Sequence, residues 1–397
     1  MSNLVWVNKN ELYDDEFYNR KDEISNVSAL LNLTATGNAP SLLITGIRSV
    51  GKTVFLNKIK KELEKDYLIV FMDFSRAECY QKNNMTPTGL LEYYFKEIIN
   101  ECEKHKLEKF KHMIKKYIQT NDFHIKYFTS IKNIPIPIFE SEKNFEKIKD
   151  FVFNLPSEIY EKYHNEIKGV IIIIDEIQVI KELNDYLESF LWLFRSYTQN
   201  DKYIAYVLCG SMSIQDELVP QISSSNGAFG GRILNIQLDP FNKETTRKYL
   251  NKNASDLIFT EESFERFYKC TSGIPAYINI FGNLLPKNIR LSEKDIIEQF
   301  DNNLNSIIPH LINIWNRLTL KEKEIIISLL DHPLKRIEIA KYLGVTTGSL
   351  STSLKKLHNL GLIRINNENL YEIQEKLLAR WLKKEYEKYN TYPYIVI

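Results

Sequence analysis

Five stretches of the chain are apolar almost without interruption: SLLITG (41–46), YLIVFMDF (67–74), GVIIIIDE (169–176), YIAYVLCGS (203–211) and RILNIQL (232–238). Short runs of this kind predict strands buried on both faces, since a strand with one face in water would alternate. Between them apolar residues recur at helical spacing, as in 52–65 and 179–197. Strands alternating with helices predict an α/β fold, a parallel sheet covered by helices on both faces.

The spacing is uneven. About ninety residues separate the second and third runs, where a parallel crossover needs roughly a dozen. Within them 89–117 and 145–167 have helical periodicity, and IKNIPIPIFESEK (131–143) alternates two prolines with apolar residues, predicting an extended segment or edge strand. The expectation is a helical insertion at about 75–168 that supports the core, with an interaction surface as the alternative. After 238 the strands stop, and 241–317 reads as a small helical domain. In 318–397 a helix capped by Thr319 is followed by a helix–turn–helix with its turn at LGVT (343–346). Apolar alternation on either side of NNEN (366–369) predicts a hairpin, and 374–389 a last helix. That order is the order of a winged helix. The expected domains are 1–240, 241–317 and 318–397.

The loop after the first strand carries chemistry. Gly46, Ile47, Arg48, Ser49, Val50, Gly51, Lys52 and Thr53 fit GxxxxGK followed by Ser or Thr, and Val54 continues into the helix. Glycine lets the backbone curl so that successive N–H groups point inward at phosphate. The helix beginning near Lys52 adds its positive end. Lys52 is placed to reach the β- and γ-phosphates, and Thr53 to hold Mg²⁺ through its hydroxyl. The third strand ends in Asp175 and Glu176. A carboxylate closing a buried aliphatic strand is costly unless paired, and hydrated Mg²⁺ is a suitable partner for Asp175. Glu176 is then positioned to polarise an attacking water. The bland alternative, a strand-end acid capping the next helix, loses weight with the phosphate loop upstream. Together the two motifs predict an ATPase that uses ATP and Mg²⁺.

Charge adds little for the whole chain. Lys and Arg (52) almost balance Asp and Glu (51), so any nucleic-acid or membrane partner must meet a local patch. One surplus exists, 13 Lys and Arg against 9 Asp and Glu in 318–397. On the expected recognition helix, 346–360, Ser349, Thr352, Lys355 and Lys356 are candidate DNA contacts, with Arg364 at the wing. The strongest base-reading side chains are scarce there, so the expectation is salt-sensitive, weakly specific binding to double-stranded DNA. A protein-binding winged helix is the alternative. Cys79, Cys102, Cys209 and Cys270 form no CxxC pair, which argues against a zinc knuckle or disulfide framework and suits a reducing cytoplasm. The opening stretch turns acidic early and has no apolar signal-peptide core. The longest aliphatic run, 170–174, is far too short to span a bilayer, and no membrane partner is expected.

The order of features resembles the AAA+ superfamily, and more specifically the archaeal ATPase family related to origin-recognition initiators and STAND-type signalling ATPases. FYNRKDEI (17–24), GIRSVGKT (46–53), IIIIDEIQ (171–178), VLCGS (207–211), GGRILNIQLDPF (230–241) and TSGIPAYI (271–278) carry the resemblance. It implies a P-loop sheet of AAA+ type followed by a helical lid and the winged helix. It also implies that Arg20 helps seat the nucleotide, although Asn19 stands where the family has Gly. By the same resemblance Ser211 senses the γ-phosphate, and Pro275 lies against the adenine. Arg232 is implied to contact γ-phosphate in cis, or in trans through self-association. The family's sensor arginine is missing just after Pro275, and Arg290 lies beyond that helix. Slow turnover and a switch rather than a motor are the consequence. The implied function is an ATP-dependent switch that couples nucleotide state to a DNA-binding winged helix. Two alternatives remain: a STAND-like signalling or defence ATPase whose winged helix binds protein, and a nucleotide-binding protein with negligible turnover.

Overall fold

The computed structural model describes residue 4 and residues 17–105, 125–131, 134–139, 145–212 and 216–394. Most of the opening stretch, and residues 106–117 of the helix expected over 89–117, lie outside the described residues. The chain forms two compact units, 9–239 and 240–397, the latter joined by residues 1–8.

The first unit contains, in chain order, β1 (Ser41–Gly46), β2 (Leu68–Asp73), β3 (Ile125–Ile131), β4 (Ile134–Phe139), β5 (Val170–Asp175), β6 (Ile204–Ser211) and β7 (Ile233–Gln237). The five apolar runs become one parallel sheet in the order β2-β5-β6-β1-β7. Alternate residues face two different core layers. Leu43, Ile172, Ile174, Tyr206 and Leu208 face one; Leu42, Ile44, Ile171, Ile173 and Val207 face the other. Burial on both sides explains the continuous apolar runs of β1, β2, β5 and β6, whereas the edge strand β7 buries Ile233 and exposes Leu234, Asn235 and Gln237.

The helices Lys21–Asn32 and Lys52–Leu63 close the second layer with Ile24, Val27, Leu31, Phe55, Leu56 and Ile59. The first layer is closed by Leu187–Thr198 and by two insertion helices, Pro87–Lys104 and Phe145–Tyr163. Phe153 of the insertion is buried among Tyr94, Phe194 and Tyr197, and stacks on Tyr197 with ring centroids 4.8 Å apart. These insertion helices therefore complete the core. The proline-bearing segment is β4, which among the described residues pairs only with β3, in a separate antiparallel hairpin. A two-stranded ribbon has a free side on which a proline without an N–H is tolerated.

The second unit begins with the helices Lys243–Asn253, Glu261–Thr271, Pro275–Leu284, Glu293–Asn302 and Pro309–Arg317. A two-residue parallel pair, β8 (Ile258–Phe259) with β9 (Arg290–Leu291), lies among them. The winged helix follows as Leu320–Ser328, Arg336–Leu343, Ser351–Asn359, the hairpin of β10 (Ile363–Ile365) and β11 (Tyr371–Ile373), and the final helix Lys376–Tyr389. Thr319 caps its helix in a reciprocal box with Glu322. The recognition helix is shorter than expected. Ser349 and Ser351 return their hydroxyls to the carbonyls of Thr346 and Gly348, and residues Gly348–Leu350 wind as a tighter turn.

The helical segment and the winged helix are one unit, because Trp315 packs edge-to-face on Trp381 at 6.1 Å and Arg380 grips Asp301 with bonds of 2.7 to 3.1 Å. Leu4 belongs to this unit. Leu4 is buried beside Gly282, and its carbonyl accepts the Asn283 amide at 3.2 Å. If the insertion is part of the core, Phe153→Ala will destabilise the first unit by about 3–5 kcal/mol. Urea unfolding of the full chain measures this, and a loss near zero would return the insertion to a peripheral role.

Candidate nucleotide site

A parallel sheet brings all its carboxyl ends to one edge, which is where ligands bind in folds of this class. β6 lies between β1 and β5, and its last residue, Ser211, pairs with Gly46 at the end of β1. Asp175 closes β5 on the same edge. Three motifs far apart in sequence thus meet.

The loop from Gly46 is shaped by a close approach. A Cβ at Gly46 would stand 2.5 Å from the Leu238 carbonyl, and its φ of 155° suits glycine. Val50 is fully buried and pins the loop to the core, while Ile47 and Arg48 are exposed. Ser49 turns through a left-handed conformation at φ 67°. Lys52 opens the helix Lys52–Leu63, followed by Thr53 and Val54 in its first turn. The Lys52 Nζ folds back to the carbonyls of Gly46 and Ile47, each at 3.0 Å. Burial pulls its pKa below the usual range, opposed by the nearby carboxylates of Glu176 and Asp175. A buried ammonium held by two loop carbonyls is a cation that phosphate would satisfy more fully.

The Thr53 hydroxyl donates to Asp175 Oδ2 at 2.7 Å. One hydroxyl and one carboxylate are hard oxygen ligands of the kind Mg²⁺ takes while keeping its waters. The donor set therefore fits that ion. Asp175 Oδ1 accepts the backbone N–H of Glu176 at 2.9 Å. Glu176 has a left-handed backbone, φ 55°. Burial, and then the charge of Asp175, push its carboxyl above the usual range, while a hydrogen bond from Gln178 acts the other way. Gln178 Nε2 donates to Glu176 Oε2, and Gln178 Oε1 accepts the Ser211 N–H at 3.0 Å. Gln178 belongs to no general phosphate-site motif. Its only sequence signal is its place in IIIIDEIQ, two residues beyond Glu176.

Other expected site residues are placed differently. Arg20 is buried, and its guanidinium donates to the carbonyls of Asp239 at 2.6 Å and Val50 at 3.4 Å. It braces the loop backbone through these two carbonyls. Arg232 precedes β7, whose Ile233 pairs with Ser41 at the start of β1. Gly46 lies at the other end of β1, roughly 16 Å away at about 3.3 Å per residue. The Arg232 backbone therefore lies at the opposite end of the sheet from the phosphate loop. Pro275 opens the helix Pro275–Leu284 in the second unit. No residue of that helix is an arginine, and Arg290 lies in β9.

On the winged helix Ser349, Thr352 and Lys355 are exposed. Lys356 is paired with Glu322 at 3.0 Å, and Arg364 with Glu372 across the hairpin at 2.6 Å. Arg336, absent from the expected set, donates to the Thr347 carbonyl at 2.9 Å and to the Ser351 hydroxyl, joining two helices of the helix–turn–helix. Among the described residues no helix is long and apolar enough to cross a membrane.

Removing the Lys52 ammonium should weaken ATP binding. Lys52→Ala is expected to lower affinity for a fluorescent ATP analogue by about 10- to 100-fold, the range for a hydrogen-bonded charge. Unchanged affinity would show that the loop does not bind phosphate.

Residues 17–281 match a family described as an ATPase domain predominantly from Archaea. Residues 323–364 match the bacterial regulatory protein arsR family. An uncharacterized ATP-binding protein of Methanocaldococcus jannaschii is 25% identical over 273 residues, covering 66% of this chain and 68% of its own length. The solved structure of a Walker-type ATPase of Pyrococcus abyssi aligns with 95% of this chain and 99% of its own, at 17% identity and a TM-score of 0.59. The Aeropyrum pernix ORC2 protein, solved in ADPNP–ADP complexes, aligns with 96% of each chain at 14% identity and a TM-score of 0.51. With the phosphate loop, the Thr53–Asp175 pair and the sheet order in agreement, the chain belongs to the ATPase domain family found predominantly in Archaea, and it carries an arsR-type winged helix behind the ATPase domain.

Proposed function

We propose that this chain is a slow, ATP-hydrolysing switch of AAA+ type whose nucleotide state is coupled to a DNA-binding winged helix. The 2.7 Å bond between Thr53 and Asp175, with Glu176 next in line, carries the reading. Mg²⁺ held by Thr53 and Asp175 would neutralise charge on the β- and γ-phosphate oxygens. Lys52 exchanges its two loop carbonyls for phosphate oxygens. Glu176 orients the attacking water and accepts its proton, a task suited to a carboxyl whose pKa is raised by burial. Ser211 presents the end of β6 to the γ-phosphate. The lack of an arginine in the helix Pro275–Leu284 supports slow turnover.

The route of coupling begins at the phosphate loop. The Leu238 N–H donates to the Thr45 carbonyl at 2.8 Å, and the Leu238 carbonyl leaves no room for a Cβ at Gly46. Arg20 ties the Val50 carbonyl of the loop to the carbonyl of Asp239, the last residue of the first unit. A shift of the loop is therefore felt where the chain leaves that unit. In the second unit the Trp315–Trp381 contact and the Arg380–Asp301 pair make the winged helix move with the helical segment. Thr352 and Lys355 offer the exposed face to DNA, while Lys356 and Arg364 would trade partly exposed ion pairs for phosphate. Arg232 would act at γ-phosphate in trans, from a second copy of the chain.

Glu176→Gln is expected to lower phosphate release by about 10²- to 10⁴-fold while the protein still binds nucleotide. Equal rates in the variant and the wild type would end the hydrolysis reading. A generic DNA duplex should shift in a gel at low salt, less so as salt rises, and less for Lys355→Glu. No shift at low salt would favour a protein-binding winged helix.

A further inference from the structure

Gln178 touches two parts of the site that the proposed reaction must coordinate. Its amide bridges Glu176 and the end of β6. The orientation of that amide is dictated by its partners. A backbone N–H can only donate, so the Ser211 N–H at 3.0 Å must meet Oε1. An ionised carboxylate can only accept, so Nε2 faces Glu176. Both contacts are satisfied in one rotamer.

The surroundings preserve this arrangement. Gly210 lies directly behind the amide, and a Cβ there would stand 2.7 Å from Gln178 Oε1 and 3.0 Å from Ile177 Cγ2. The glycine of VLCGS thus leaves room for the glutamine of IIIIDEIQ. Glu176 needs such a tether. Its backbone is left-handed, and β5 ends one residue earlier, so no strand hydrogen bonds hold it.

We infer that Gln178 is a positioning residue: it holds the Glu176 carboxylate in place and ties that placement to Ser211, so that the end of β6 and the water-orienting group move together. This inference rests on the ATPase reading above. A carboxylate held through one amide to the neighbouring strand is displaced whenever Ser211 shifts. A displacement on the order of 1 Å is enough to change a rate about a hundredfold.

Two substitutions separate the halves of the bridge. Gln178→Glu keeps the size and the acceptor for Ser211 but sets a second carboxylate against Glu176. Gln178→Met removes both contacts. We expect kcat for ATP hydrolysis to fall about ten- to a hundredfold in both variants with KM changed less than about twofold. Hydrogen exchange in nucleotide-free protein should show the Ser211 amide still protected in Gln178→Glu and newly exposed in Gln178→Met. If Gln178→Met does not fold, the isosteric Gln178→Glu carries the rate test alone. Wild-type kcat in Gln178→Glu, measured beside an inactive Glu176→Gln, overturns the inference. So does a protected Ser211 amide in folded Gln178→Met. If wild type and Glu176→Gln release phosphate equally, it is the hydrolysis reading that falls, and the tether is then decided by Ser211 exchange.

Discussion

The hydrogen bond from Thr53 to Asp175 imposes the strictest geometric demand in this molecule. It joins the first turn of one helix to the last residue of a strand 122 positions later. Those groups meet because β1 and β5 run parallel, so both end at the same edge, with β6 between them. A parallel sheet in turn requires crossovers on its faces, and the crossovers require burial on both sides. The helices Lys21–Asn32 and Lys52–Leu63 on one face, and the insertion helices with Leu187–Thr198 on the other, supply it.

The same edge gathers buried charge. Lys52, Asp175 and Arg20 are all buried. Each is held by backbone or a short polar side chain: Lys52 by loop carbonyls, Asp175 by Thr53 and the Glu176 N–H, Arg20 by the carbonyls of Val50 and Asp239. Arg20 also pairs with Glu23 at 3.7 Å, whereas among the described residues the Lys52 ammonium is held by carbonyls alone. Lys52 in particular is free to exchange partners when an anion arrives, which a buried ion pair would resist.

The second unit is organised differently. Its helices join the winged helix through tryptophan packing and a multiply bonded arginine–carboxylate pair. The joint thus combines apolar packing with a charge-assisted pair that fixes its geometry. The candidate DNA face, by contrast, is largely solvent-exposed, and two of its cations already have carboxylate partners.

Much of this was legible in the residues alone. The five strands, the phosphate loop, Asp175 with Glu176, the Thr319 cap and the wing hairpin all rest on local signals: unbroken aliphatic runs, a fixed glycine–lysine spacing, a capping hydroxyl, alternation about a turn. Local signals survive in one dimension because their physics acts between near neighbours. What the residues could not decide was which distant pieces become adjacent. The order of strands set the Arg232 backbone far from its own loop, because a strand's two ends are a full strand length apart. Packing set Leu4 against Gly282 and joined Trp315 to Trp381. Gln178 acquired its place only when β6 settled beside β5 and brought the Ser211 N–H within 3.0 Å. Register, strand order and the partners of buried polar groups are properties of pairs remote in sequence, so tertiary structure alone determined them.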